Sequence, residues 1–125
     1  MAERLYDTDR SNSPSSNGLT VRWPVAGATK LANEDTGQAI RILGRHIVTV
    51  QPTGTFGATP KNVIMEGSVV AEDGPFALLK DIDGNTAQIA SAGIISVRDS
   101  VEWIRPRIEA GTSAQIEVFM RVQSP

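Results

Sequence analysis

The chain has 125 residues, 40% of them hydrophobic, which is enough to build the core of one globular domain. Its formal net charge of −2 gives no long-range reason to expect nucleic acid or an anionic membrane as a partner. The absence of cysteine excludes disulfides and thiolate metal sites, and the absence of a long apolar run or a signal-like start favours a soluble protein made in the cytoplasm.

The first segment, residues 1–18, is polar and rich in Ser, Asn and Asp. Its large apolar residues are Met1, Leu5 and Tyr6, too few to offset the entropy of ordering the segment by itself. We therefore expect an extended N-terminal arm over 1–18 and one domain over 19–125. The arm is expected to make few contacts with its own domain and to bind another chain, with Leu5 and Tyr6 as partner-binding residues.

Beyond the arm, short stretches rich in Val, Ile and Thr alternate with turn residues, a pattern typical of β-strands. The predicted strands are 19–23, 38–43, 46–51, 62–70, 76–79, 86–90, 103–108 and 114–122. A longer loop is expected over 52–57, and one helical turn near 96–100. Because strands do not alternate with helices, the pattern predicts an all-β fold, an antiparallel β-sandwich or jelly roll.

The alternation of side chains within the strands predicts which residues face the core. In the last strand, Phe119 falls on the outer face with the polar residues. Trp23 is expected to cover the core near the root of the arm. The predicted inward residues are Trp23, Val48, Val50, Ile116, Val118, Met120 and Val122.

Residues for catalysis or metal binding are scarce. The chain has one histidine, His46, at the start of a predicted strand, where a packed or surface role is the ordinary one. Asp81 and Asp83 suggest a calcium loop, but the required glycine and bidentate acid would fall on Thr86 and Ala92, so a turn explains them better. We expect no enzyme activity, no metal and no cofactor.

The strand 103–108 carries the residues that most suggest a binding surface. Trp103, Arg105 and Arg107 share its predicted outer face, whereas Ile104 and Ile108 take the core face. Tryptophan and arginine are enriched at interface hot spots, so we interpret the three outer residues as partner-binding. The rival interpretation places Trp103 in the core and leaves the arginines merely solvated.

Pro106 lies in the middle of this strand. Proline donates no backbone hydrogen bond to a ladder. The strand should therefore lie at a sheet edge or carry a local irregularity at Pro106.

From residue 51 onward the chain reads QPTGTFGATPKNVIMEGSVVAEDGPFALLKDIDGNTAQIASAGIISVRDSVEWIRP, followed by a turn at Gly111 and Thr112 and the last strand. Short strands and glycine turns lead here to an aromatic-Ile-Arg-Pro strand and then to a final alternating strand. In this order of elements, residues 51–125 resemble small structural proteins of tailed bacteriophages. The resemblance implies a virion protein, above all a capsid cement or decoration protein that binds and stabilises the shell of major capsid protein.

Two other functions stay open at this point. One is a tail or connector component of the same virion. The other is a carbohydrate-binding β-sandwich that uses exposed aromatic residues as a sugar platform; the candidates are Tyr6, Trp23 and Trp103, which do not fall at one obvious edge. For the virion protein we expect the major capsid protein or other virion proteins as partners, a homo-oligomer (dimer or trimer), and neither nucleic acid nor membrane.

Overall fold

A computed structural model describes residues 3–9, 18–32, 34–42, 46–56, 63–91, 93–109 and 114–123. These residues form strands and turns, with no helix among them. The strands are β1 (Glu3–Arg4), β2 (Asp7–Asp9), β3 (Gly18–Trp23), β4 (Thr36–Gly37), β5 (Ile40–Arg41), β6 (Ile47–Thr55), β7 (Val63–Ser68), β8 (Ala77–Leu78), β9 (Gln88–Ile89), β10 (Ile95–Val97), β11 (Trp103–Ile108) and β12 (Gln115–Gln123).

The strands form two sheets that pack face to face. The first, here called sheet A, has the order β1-β4-β11-β7-β8, with β5 also pairing with β11 and β9 also pairing with β7. The second, sheet B, has the order β10-β6-β12-β3-β2. The named pairs are antiparallel except for the parallel pair of β1 and β4. The prediction of an all-β antiparallel sandwich is confirmed.

The core lies between the sheets and is built by alternation along the strands. In β12 every second residue is buried, from Ile116 to Val122. Burial of this inner row removes apolar surface from water, the main source of stability in such a fold. The predicted inward residues are all buried: Trp23, Val48, Val50, Ile116, Val118, Met120 and Val122.

Each of the eight predicted strand segments contains an observed strand. Two other expectations, a loop and a helical turn, are wrong. The expected loop over 52–57 is strand up to Thr55, because β6 pairs with β12 along its whole length. The expected helical turn near 96–100 is also wrong. Residues Ile95–Val97 form β10, which pairs with β6, and Ile95 and Val97 pack against the core.

The described part of the N-terminal arm belongs to the sandwich. Strand β1 pairs with β4 in sheet A, and β2 pairs with β3 in sheet B. The expectation of few contacts with its own domain is therefore wrong for residues 3–9, because their backbone groups complete the hydrogen bonding of both sheets. Residues 1, 2 and 10–17 of the arm lie outside the described residues.

A second segment connects the two sheets on the opposite side. Strand β8 pairs with β7 in sheet A, and the chain that follows it bridges to β10 in sheet B through Asp81 and Val97. The amide of Ile82 donates to the carbonyl of Ser96 at 3.1 Å. Each side of the sandwich is thus crossed by a segment that hydrogen-bonds to both sheets. Open sheet edges are the usual place for pairing with another chain. Because both sides of this sandwich are crossed, the sheet faces are the candidate binding surfaces.

Candidate functional site

The outer face of sheet A carries the residues that the sequence singled out on β11. Trp103, Arg105 and Arg107 are partly buried on this face, whereas Ile104 and Ile108 lie in the core. The predicted division of the strand into two faces is confirmed. The rival interpretation, with Trp103 in the core, is wrong, because Trp103 is only partly buried whereas the alternate residues Ile104 and Ile108 are buried.

The irregularity predicted at Pro106 is also present. Strand β11 lies inside sheet A, between β7 on one side and β4 with β5 on the other. Arg107 pairs with Thr36, and Ile104 pairs with Ile40. Between these two pairs the neighbouring chain advances by four residues, whereas β11 advances by three. The extra residue is a β-bulge, and it lies opposite Pro106. The bulge lets a proline occupy an interior strand without leaving an ordinary ladder bond unmade.

A buried glutamate lies between the two arginines. Glu66 on β7 is directly opposite Arg105, and its side chain is only 7% exposed. Arg105 Nε donates to Glu66 Oε1 at 2.7 Å, and Arg107 Nε donates to Glu66 Oε2 at 3.2 Å. A carboxylate removed from water needs such charge-assisted partners, because an unpaired buried charge is strongly destabilising. Glu66 therefore holds both guanidinium groups in place.

Aromatic and aliphatic side chains surround this ion-pair cluster. The Cζ atom of Arg105 lies 3.7 Å from the centroid of the Phe76 ring, and that of Arg41 lies 5.7 Å from a ring centroid of Trp103. These distances are typical of cation–π contacts. Leu78 is 49% exposed and pairs with Glu66 from β8.

We call this surface the arginine face. It consists of Arg41, Glu66, Phe76, Leu78, Trp103, Arg105 and Arg107. Arg41 also forms an ion pair with Glu102, at 3.0 Å. When the neighbouring Glu102 is counted with Glu66, three arginines against two glutamates give this surface a net charge of +1, although the whole chain carries −2.

The sequence identified only part of the arginine face. Glu66, Phe76, Leu78 and Arg41 were missed, because strand register brings them together from separate segments. One signal was available for Glu66, which interrupts the apolar run of its strand. A charged residue in the middle of such a run requires a partner on a neighbouring strand.

The two predicted binding residues of the arm occupy different environments. Leu5 is 56% exposed, as a binding residue would be. Tyr6 instead packs against the core, with its ring edge-on to Trp23 at 6.3 Å between centroids. Tyr6 is therefore engaged within its own domain.

The residues considered for metal binding form a turn. Asp81 Oδ1 accepts hydrogen bonds from the amides of Asp83 and Asn85, at 2.9 Å and 3.0 Å. The residue between them, Gly84, has a φ of +84°, a conformation that favours glycine. Over the described ranges, no group of three or more His, Cys, Asp or Glu side chains could hold a metal ion. No helix that could span a membrane occurs in the same ranges.

Comparisons with protein-family models, with curated proteins and with solved structures find no match to this chain.

Proposed function

We propose that this protein is a structural component of a tailed-phage virion, a capsid cement or decoration protein that binds the shell of major capsid protein and stabilises it. The observation that carries the proposal is the arginine face, where Trp103, Phe76 and Leu78 surround two arginines held by Glu66. Tryptophan and arginine dominate the energetics of protein interfaces. The resemblance of residues 51–125 to small phage structural proteins supports the virion as the setting.

The arginine face is well suited to binding because its arginines are already held by contacts within their own chain. Arg105 is held by Glu66 on one side and by the ring of Phe76 on the other. Long side chains lose conformational entropy when a partner immobilises them, about 0.5–1.5 kcal/mol each. Side chains that are fixed beforehand avoid much of that entropy cost. Contacts on this face therefore contribute more of their free energy to binding.

The proposed mechanism does not require an arm that extends over neighbouring subunits. Residues 3–9 hydrogen-bond to both sheets of their own domain, and they close one side of the sandwich. Attachment through a face, rather than through an added strand, follows from this closure. The proposal includes self-association into a dimer or trimer. Light scattering on the purified protein measures the oligomeric state.

The geometry gives the carbohydrate-binding alternative less support than the binding of a protein partner. Its sugar platform required Tyr6, Trp23 and Trp103 at the surface. The Trp23 side chain is fully buried, with 0% exposure, and Tyr6 packs against it. A tail or connector position uses the same binding argument as the capsid, and binding to separated virion parts distinguishes the two.

The test is co-sedimentation of the purified protein with heads and with tails from a tailed phage that encodes it. We expect saturable binding to heads, weakened by Trp103→Ala and by Arg107→Ala, because loss of an interface hot spot costs roughly 2 kcal/mol or more. Arg98→Ala is the matched control, since Arg98 is an exposed arginine paired with Asp99 elsewhere on the surface. Binding to tails alone would move the protein to the tail, and binding to neither would overturn the proposal.

A further inference from the structure

The two arginines of the arginine face use only part of their hydrogen-bonding capacity on Glu66. Each donates to Glu66 through its Nε atom. Within the part of the chain that the structure describes, the side chains of Arg105 and Arg107 make hydrogen bonds through Nε and none through their terminal nitrogen atoms. A guanidinium carries most of its donors on those terminal nitrogens, arranged as a planar fork that matches a carboxylate.

These unused donors lie at the surface. The Arg105 side chain is 22% exposed and that of Arg107 is 35% exposed, whereas Glu66 beneath them is 7% exposed. The single carboxylate is shared between two guanidinium groups, so the cluster has an excess positive charge on its outer side. Because the pair is partly desolvated, an anionic group that arrives there interacts more strongly than it would with a fully hydrated arginine.

We infer that the arginine face binds a carboxylate-bearing, acidic segment of the partner protein. This inference rests on the proposed function and names the chemistry that the partner must present. The carboxylate would accept hydrogen bonds from the terminal nitrogens of Arg105 and Arg107. Beside it, Leu78 and Trp103 offer apolar surface, so the acidic residue of the partner is expected to lie next to an apolar one.

The charge and composition of the face favour a protein carboxylate over a phosphate polymer. Binding to nucleic acid relies on several cations that displace counterions along the backbone. The arginine face, counted with Glu102, has a net charge of +1 and the whole chain has −2, which is too little positive charge for that mode. An exposed leucine beside an arginine pair matches the mixed composition of protein interfaces.

The first experiment modifies the partner rather than this chain. Surface carboxylates of purified heads are converted to neutral amides with carbodiimide and ethanolamine, and intact particles are selected by electron microscopy. We expect the modified heads to bind the protein about tenfold more weakly or worse, the effect of losing a hydrogen bond to a charged group. Unchanged binding to intact, modified heads would overturn the inference while leaving the proposed function standing.

The second experiment does not need a virion. A short acetylated peptide, Glu-Leu-Glu-Leu, is titrated into the protein while the Nε–H signals of its arginines are followed by NMR. We expect the signals of Arg105 and Arg107 to shift and that of Arg98 to stay, with no shift from the matched Gln-Leu-Gln-Leu peptide. A shift with inorganic phosphate or single-stranded DNA but not with the glutamate peptide would contradict a protein carboxylate as the ligand.

Substitutions at Arg107 separate charge from geometry in both assays. Arg107→Gln removes the charge and Arg107→Lys keeps it but loses the planar fork. We expect the lysine variant to bind heads more weakly than the wild type and more tightly than the glutamine variant. Equal binding by all three proteins would show that Arg107 does not contact the partner. If unmodified heads bind none of them while the peptide still shifts Arg105 and Arg107, the proposed function fails and the carboxylate site remains.

Discussion

The indole Nε1 of Trp23 donates a 2.8 Å hydrogen bond to the backbone carbonyl of Gln38. Gln38 lies in the bulge opposite Pro106, on the side where the amide of Ile108 donates to the carbonyl of Asp35. The proline has no N–H to donate towards that side. A buried side chain from sheet B thus satisfies a carbonyl of sheet A where the ladder is interrupted, and it ties the two layers together.

The first prediction concerns this bond. Trp23→Phe keeps an aromatic ring in the core but leaves the Gln38 carbonyl without its donor. An unsatisfied buried acceptor costs about 1–3 kcal/mol, and the smaller ring adds a cavity cost. Urea unfolding should show a loss of at least that size, while Trp103→Phe on the outer face should lose less. Equal losses for the two variants would argue against the bond.

The second prediction concerns the close approach of the bulged chain to the core. A Cβ atom added at Gly37 would lie 2.6 Å from Pro106 Cδ and 2.6 Å from Trp23 Cδ1. Both neighbours are rigid rings, so we expect Gly37→Ala to lower the free energy of unfolding by about 1–3 kcal/mol through overpacking. Thermal unfolding measures it. Gly93→Ala is the control, because its nearest neighbouring atom is 4.0 Å away, and a similar effect of both variants would contradict the reasoning.

The third prediction concerns the sharing of Glu66 between two arginines. In Arg105→Ala or Arg107→Ala, the other arginine still balances the buried carboxylate. In the double variant neither arginine remains to balance the carboxylate. We therefore expect its loss of stability to exceed the sum of the single losses by roughly 1 kcal/mol. Urea unfolding at neutral pH measures the cycle.

Adding Glu66→Gln to that double variant provides the control. Removal of the buried charge should restore part of the lost stability, because a neutral amide is less costly to bury than an unpaired carboxylate. If the single losses simply add, or if Glu66→Gln restores nothing, the carboxylate is not balanced by these two arginines.

The fourth prediction separates the two binding residues expected in the arm. Tyr6→Ala should destabilise the protein, because the ring packs edge-on against Trp23, a contact worth about 0.5–1.5 kcal/mol beyond burial. Leu5→Ala should change the melting temperature little, since the side chain is largely exposed. The opposite order would mean that the arm is held by Leu5 and that Tyr6 is free to meet a partner.

Residue patterns along the chain are enough to predict the all-β class, the inward residues of the long strands and the two faces of β11. These properties depend on the alternation of side chains every two residues, which is local and readable without a partner strand. The irregularity at Pro106 is also predictable from sequence, because proline has no N–H to donate to the hydrogen-bond ladder of a sheet.

Residue patterns do not predict how separate segments meet, because that depends on strand pairing across the whole chain. Three features depend on the register between distant parts of the chain. They are the pairing of residues 3–9 with both sheets, the position of Glu66 opposite Arg105, and the hydrogen bond from Trp23 to Gln38. A shift of one residue in a strand moves every side chain to the other face. Local patterns predict which residues are available for a site, and the pairing of strands decides which of them become neighbours.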